Sequence, residues 1–128
     1  MGAYVGRQER GFAAQSRGRA AEGRVERALV RDGWDVLARR LRTPAGEIDL
    51  VAQRDGLAAI IEVKSRPSLS EAAAALQPRQ RSRLVAAAEV ALAQNPGWGP
   101  AGVRFDVLLV DERGRVRRIA DAFRAELA

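Results

Sequence analysis

A chain of 128 residues is one domain by length and large enough for a single core. It contains no cysteine and no histidine, which excludes disulfides, thiol catalysis, zinc–cysteine sites and imidazole acid–base chemistry, so any metal here is held by oxygen. Net charge is +6, of which +5 falls in residues 1–42 (ten arginines against five acids), and this basic segment ahead of a nearly balanced remainder points to a polyanion, most simply nucleic acid, or else to a solvated basic surface.

Residues 1–17 are rich in Arg and Gln and lack the apolar stretch of a signal peptide. No apolar run in the chain approaches the roughly 20 residues that span a bilayer. The expectation is a cytoplasmic protein without a membrane segment: a basic, loosely ordered arm over 1–17 ahead of one domain over 18–128. Residues 18–31 read as the first helix, with Ala21, Val25, Ala28 and Leu29 on one stripe and Gly33 as its stop signal. Glu22 and Glu26 lie beside that stripe. Residues 34–41 read as a strand, and Thr43-Pro44-Ala45-Gly46 as a turn.

The next stretch organises the chain. Residues 47–53 alternate polar and apolar, residues 57–64 form a short apolar run ending in E-V-K, and Asp55-Gly56 between them suits a two-residue turn at positive φ. That turn sets a register in which Arg54 faces Leu57, Val51 faces Ile60, Asp49 faces Glu62 and Glu47 faces Lys64. Directly opposed carboxylates are destabilising unless a positive charge lies between them. Two sources are available: Lys64 on the same face, or a divalent cation, for which paired carboxylates are suitable hard ligands. Lys64 is the one lysine among 22 basic residues. Arginine holds its proton and binds as a fork, whereas lysine is a compact charge that exchanges one.

Ser68-x-x-Glu71 fits a capping box, and A-A-A-A-L continues from it as a short helical piece. Pro78 opens a long helix over about 79–95, with Leu84, Ala88, Ala91 and Leu92 as its buried stripe. Arg79, Arg81 and Arg83 cluster at its beginning, which makes either a phosphate site or surface charge. Residues 95–100 are a turn-rich loop, 103–110 a buried strand, 111–114 a turn, 116–119 an Arg-rich edge strand, and 122–128 a tail that docks on the core. The order αβββαββ predicts an α/β domain with a mixed sheet.

D-x12-E-x-K on consecutive strands resembles the core of the PD-(D/E)XK nuclease superfamily. The longer string G-E-I-D-L…E-V-K-S-R, with Arg104-Phe105-Asp106 downstream, resembles the YraN-like bacterial proteins, which are similar to archaeal Holliday-junction resolvases; the resemblance covers residues 18–123. It implies a restriction-endonuclease-like three-layer core and a metal-dependent endonuclease that hydrolyses DNA phosphodiester bonds, among them those of branched or junction structures. By that resemblance Asp49, Glu62 and the Val63 carbonyl hold Mg²⁺ or Mn²⁺, Glu22 completes the shell, and Lys64 orients the attacking water or stabilises charge on the phosphate. Glu47 is assigned to holding Lys64. Gln80 stands where a lysine commonly follows the proline in this family. Arg19, Arg42 and Arg66 join Arg79, Arg81 and Arg83 as the expected DNA contacts. Symmetric cutting of a junction requires a two-fold homodimer. The alternative is a nucleic-acid-binding module on the same fold with weak or no catalysis; other phosphate chemistry is disfavoured, because neither a G-x-x-x-x-G-K-[ST] loop nor a G-x-G-x-x-G fingerprint occurs.

Overall fold

Five apolar-patterned segments pair into one mixed sheet with a helix packed on each face. The computed structural model describes residues 18–68, 70–71 and 78–123. The basic arm, the A-A-A-A-L segment and the last five residues of the tail lie outside these. Helix α1 spans 18–31 and is followed by β1 (Asp35–Thr43), β2 (Gly46–Arg54) and β3 (Leu57–Ser65). After the intervening segment come α2 (Pro78–Gln94), β4 (Gly102–Val110) and β5 (Val116–Phe123). Residues 70 and 71 are helical as well, so a short helical piece precedes α2 that the expected order does not count. Ahead of it the Ser68 hydroxyl accepts from the Glu71 N–H at 3.1 Å and donates to the Glu71 carboxylate, which supplies the Ser half of the capping box.

Strand order is β1-β2-β3-β4-β5. Neighbours pair antiparallel except β3 with β4, which are parallel and therefore joined by a long crossover containing α2. Asp55 (φ 53°) and Gly56 (φ 78°) make the β2–β3 turn, and Arg54 faces Leu57 and Val51 faces Ile60 as the turn chemistry requires. At the other end of β2 the Thr43 hydroxyl ties the β1–β2 turn, donating to the Gly46 carbonyl at 2.7 Å and accepting from the Ala45 and Gly46 N–H groups.

The two sheet faces carry separate cores. On one, Ala21, Val25 and Leu29 of α1 pack on Leu50, Ala52, Ala59, Ile61, Leu108 and Val110. On the other, Leu84, Ala87, Ala88 and Ala91 of α2 pack on Ile48, Val51, Ile60 and Phe105. Ala87 takes the place expected for Leu92, which is only half-buried. Each Leu, Ile or Val fully withdrawn from water contributes about 1.5–3 kcal/mol, and small alanines on α2 let that helix approach the sheet closely.

β5 runs to Phe123, four residues past the expected strand, because β4 supplies backbone partners as far as Phe105↔Phe123. In the middle of β4, Asp106 is fully buried. It accepts from Arg118 Nε at 2.9 Å and from Arg118 Nη2, and Arg104 Nη2 lies 3.1 Å away. The Arg54, Arg104 and Arg118 guanidinium groups all sit over the buried Trp34 ring, 5.3, 5.2 and 4.5 Å from its centroid. No helix among the described residues is long and apolar enough to cross a membrane.

Candidate active site

The candidate residues converge where β2 begins, β3 ends and α1 starts. A cleft of about 280 Å³ is lined there by Gly18, Glu22, Asp49, Glu62, Val63, Lys64, Ser65 and Arg66. Asp49 reaches it from a local irregularity of β1 and β2. Arg39 pairs with Leu50 and Leu41 with Ile48, so Arg40 and Asp49 lie across from one another between these pairs. Arg40 has φ 47°, a left-handed conformation that costs a non-glycine residue on the order of 1–3 kcal/mol unless its surroundings enforce it. The alternation of faces slips at this point: Leu50 packs under α1, yet Ile48, two residues earlier, packs under α2.

The slip also parts β2 from β3. Backbone pairing ends at Leu50↔Ile61, so Asp49 and Glu62 are not a ladder pair as the extrapolated register had them. Asp49 instead turns its carboxylate across the gap and accepts a hydrogen bond from the Val63 N–H at 2.8 Å. Burial pushes the Asp49 carboxyl up to about 7, with the nearby Glu62 charge adding to it, the Val63 N–H opposing it, and Glu22 and Glu47 contributing less. The like-charge strain expected between Asp49 and Glu62 is therefore present without direct opposition.

Lys64 is buried, and its Nζ lies 3.2 Å from Glu62 Oε1. The pairing of Lys64 with Glu47 is corrected: Glu47 is largely exposed and lies 3.8 Å from Arg42, because the break near Asp49 removes the register that would have set Glu47 against Lys64. Glu22, on the first turns of α1, reaches the cleft but is engaged by Arg40, whose Nε donates to Glu22 Oε2 at 2.8 Å. Among the described residues no three acidic side chains converge tightly enough to form a ready-made metal cage. What the cleft presents is three carboxylates, each met by a different donor: Arg40, the Val63 N–H and Lys64. That all-oxygen acidic set suits a hard divalent cation.

The expected DNA contacts distribute unevenly. Arg66 lines the cleft, exposed, with Nη1 donating to the Ser65 carbonyl at 2.7 Å. Arg19 and Arg42 are exposed nearby on α1 and β1. On the first turns of α2, Arg79 and Arg83 are exposed, and the Arg83 stem lies so close over Gly46 that a Cβ there would meet its Cγ at 2.9 Å. Arg81 Nε and Gln80 Oε1 are both buried without a hydrogen-bond partner. Arg40 is a site residue that sequence reasoning missed; its own signal, one more arginine in a run of them, carried no mark of a left-handed backbone.

The Asp49 environment gives a pH prediction. The folded protein holds that proton to about 7, whereas the unfolded chain releases it near 3.8. Between those values the folded state binds more protons, so stability of the metal-free protein falls as pH rises through this window and levels above it. Asp49→Asn removes the fall. At pH 8 and without metal it raises the melting temperature by roughly 3–6 °C, the equivalent of about 1 kcal/mol for a small domain. Thermal melts across pH 4–8 in chelator check this, and a melting temperature lowered by the substitution would mean that Asp49 serves a structural ion pair.

Residues 21–110 match the family described as "Uncharacterised protein family UPF0102". A UPF0102 protein of Granulibacter bethesdensis is 61% identical over 117 residues, covering 91% of this chain and 74% of the relative. Similar proteins from Azorhizobium caulinodans and Acidiphilium cryptum are each 50% identical, covering 89% and 88% of this chain and 87% and 88% of theirs.

Proposed function

We propose that this chain, which belongs to the UPF0102 family, is a divalent-metal-dependent endonuclease that hydrolyses DNA phosphodiester bonds, with branched or junction DNA among its substrates. One observation carries the reading: Asp49, Glu62, Val63 and Lys64 line a single cleft in which Asp49 is buried against the Glu62 charge. Nature rarely keeps such repulsion at a sheet end without a use for it. The resemblance of G-E-I-D-L…E-V-K to the PD-(D/E)XK nucleases, and the restriction-endonuclease-like fold it implies, support the same reading.

Asp49, Glu62 and the Val63 carbonyl would hold Mg²⁺ or Mn²⁺, with Glu22 joining directly or through water. Bound there, the ion supplies Lewis-acid polarisation of the phosphate and a more acidic water. Lys64 Nζ, fixed by Glu62 at 3.2 Å, places a compact cation with further N–H donors at the cleft wall, where charge develops on a phosphate oxygen. Asp49 must be ionised to act as a ligand, and its proton is held to about 7, so metal affinity rises with pH through neutrality. Arg66 at the cleft, together with Arg19, Arg42, Arg79, Arg81 and Arg83, would supply charge for a phosphate backbone. Two-strand cutting at a junction further implies a homodimer, which sedimentation with and without a four-way junction tests.

A second reading, a nucleic-acid-binding module with weak or no catalysis, is favoured by one observation: Glu22 is engaged by Arg40 rather than turned to the other carboxylates. Purified protein incubated with labelled junction, flap and linear DNA in Mg²⁺ or chelator separates the two. Both readings predict binding through phosphates, so log affinity falls linearly with log salt, with a slope near −0.9 per phosphate contacted. Deleting residues 1–17 makes that slope shallower. A slope near zero would remove nucleic acid as the partner.

A further inference from the structure

Arg40 is not accounted for by the metal-site chemistry. Its backbone is held left-handed inside a strand, across from Asp49, and its guanidinium is engaged by Glu22 at the rim of the cleft. Both ends of that ion pair remain partly open: the Arg40 side chain is 40% exposed and that of Glu22 21%. A strand residue that needed only to be a solvated arginine would not require this backbone. The break at Arg40 sets the guanidinium against a carboxylate that itself lines the cleft of the proposed metal site. Glu22 cannot satisfy a cation and the Arg40 Nε with the same oxygen at full strength.

We propose that Arg40 is a phosphate-binding residue held in reserve by Glu22, freed to grip the nucleic-acid backbone when Glu22 takes up a divalent cation. This rests on the nuclease reading of the cleft. The exchange makes cation and polyanion binding mutually reinforcing, since each favours the state in which Glu22 and Arg40 are apart. An arginine fork suits the task, because it can leave a carboxylate and present the same planar donors to a phosphate.

The test is binding, not cleavage. Affinity of the full-length protein for a labelled four-way junction and a duplex of the same sequence is measured in Ca²⁺, which supports ligation with little cutting, and in chelator. Wild type gains affinity in Ca²⁺ by on the order of tenfold, within the usual span of coupling between sites. Arg40→Asn, a residue that tolerates the left-handed backbone, loses that gain. Glu22→Gln binds DNA in chelator as tightly as wild type does in Ca²⁺, because Arg40 is already free. The double variant Glu22→Gln/Arg40→Asn loses this again, which separates release of Arg40 from mere removal of a negative charge. Melting curves establish that each variant is folded, and Arg40→Gly, with the same backbone freedom, repeats the result of Arg40→Asn. If Arg40→Asn keeps the Ca²⁺ gain, or if the double variant still binds as Glu22→Gln does, Arg40 is not the reserved ligand. Absence of DNA binding by wild type in either condition overturns the underlying nucleic-acid reading instead, and is visible before any variant is made.

Discussion

Lys64→Ala abolishes Mg²⁺-dependent cleavage while leaving DNA binding within a few-fold of wild type. The expected loss is roughly 10²–10³ in rate, the cost of removing one preorganised donor from developing transition-state charge. Asp49→Asn and Glu62→Gln lose at least as much, since each removes a carboxylate oxygen from the proposed cation site. The Lys64 result is the most diagnostic of the three, because Lys64 touches Glu62 and would face the phosphate. A purely structural lysine would behave differently: its loss would strand Glu62 and lower stability without a selective effect on cutting. Lys64→Arg keeps the charge but not the compact ammonium or its proton exchange, so it fails to rescue. Single-turnover cleavage in Mg²⁺ at saturating enzyme, with melting temperatures beside it, measures both quantities. Wild-type rates for all three variants would remove the assignment of the site.

The largest effect on stability is expected outside the cleft lining, at Asp106. That carboxylate is fully buried and shared between Arg104 and Arg118, whose side chains are 25% and 23% exposed. Asp106→Ala leaves two mostly buried guanidinium groups stacked over Trp34 without it, a situation that costs about 3–5 kcal/mol. Against a total of about 5–15 kcal/mol for a natural domain, that brings the protein close to unfolding at ambient temperature. Asp106→Asn keeps an acceptor oxygen and costs less. Urea midpoints for the two variants check the ranking, and a loss for Asp106→Ala below about 1 kcal/mol would mean that water already screens the arginines.

The comparison of these two regions explains what could be read from residue order. The hairpin was legible because its signals are local: Asp55-Gly56 demands positive φ, and alternation on either side fixes Arg54 against Leu57. The identities of Asp49, Glu62 and Lys64 followed from that register, and all three reach the cleft. Their pairing did not follow, because a single left-handed residue on the neighbouring strand shifts the faces of β1 and β2. Arg40 gives no local sign of that conformation. The Trp34 cluster was hidden for another reason. It gathers side chains from the α1–β1 connection and from β2, β4 and β5, which no short window brings together. The length of β5 was likewise set by its partner, since Arg-Arg-Ile-Ala-Asp-Ala-Phe has little strand character alone.

The lone lysine has a practical consequence. Lys64 lies in β3, the middle strand of five, and is 7% exposed. A protease specific for lysine therefore has one cutting point in the whole chain, buried near the end of β3 and paired there with Leu109 of β4. Loss of either edge strand, β1 or β5, leaves its pairing with β4 in place. The two fragments would appear from molecules in which the end of β3 has parted from β4, so a gel band reports that opening directly, without a spectroscopic baseline.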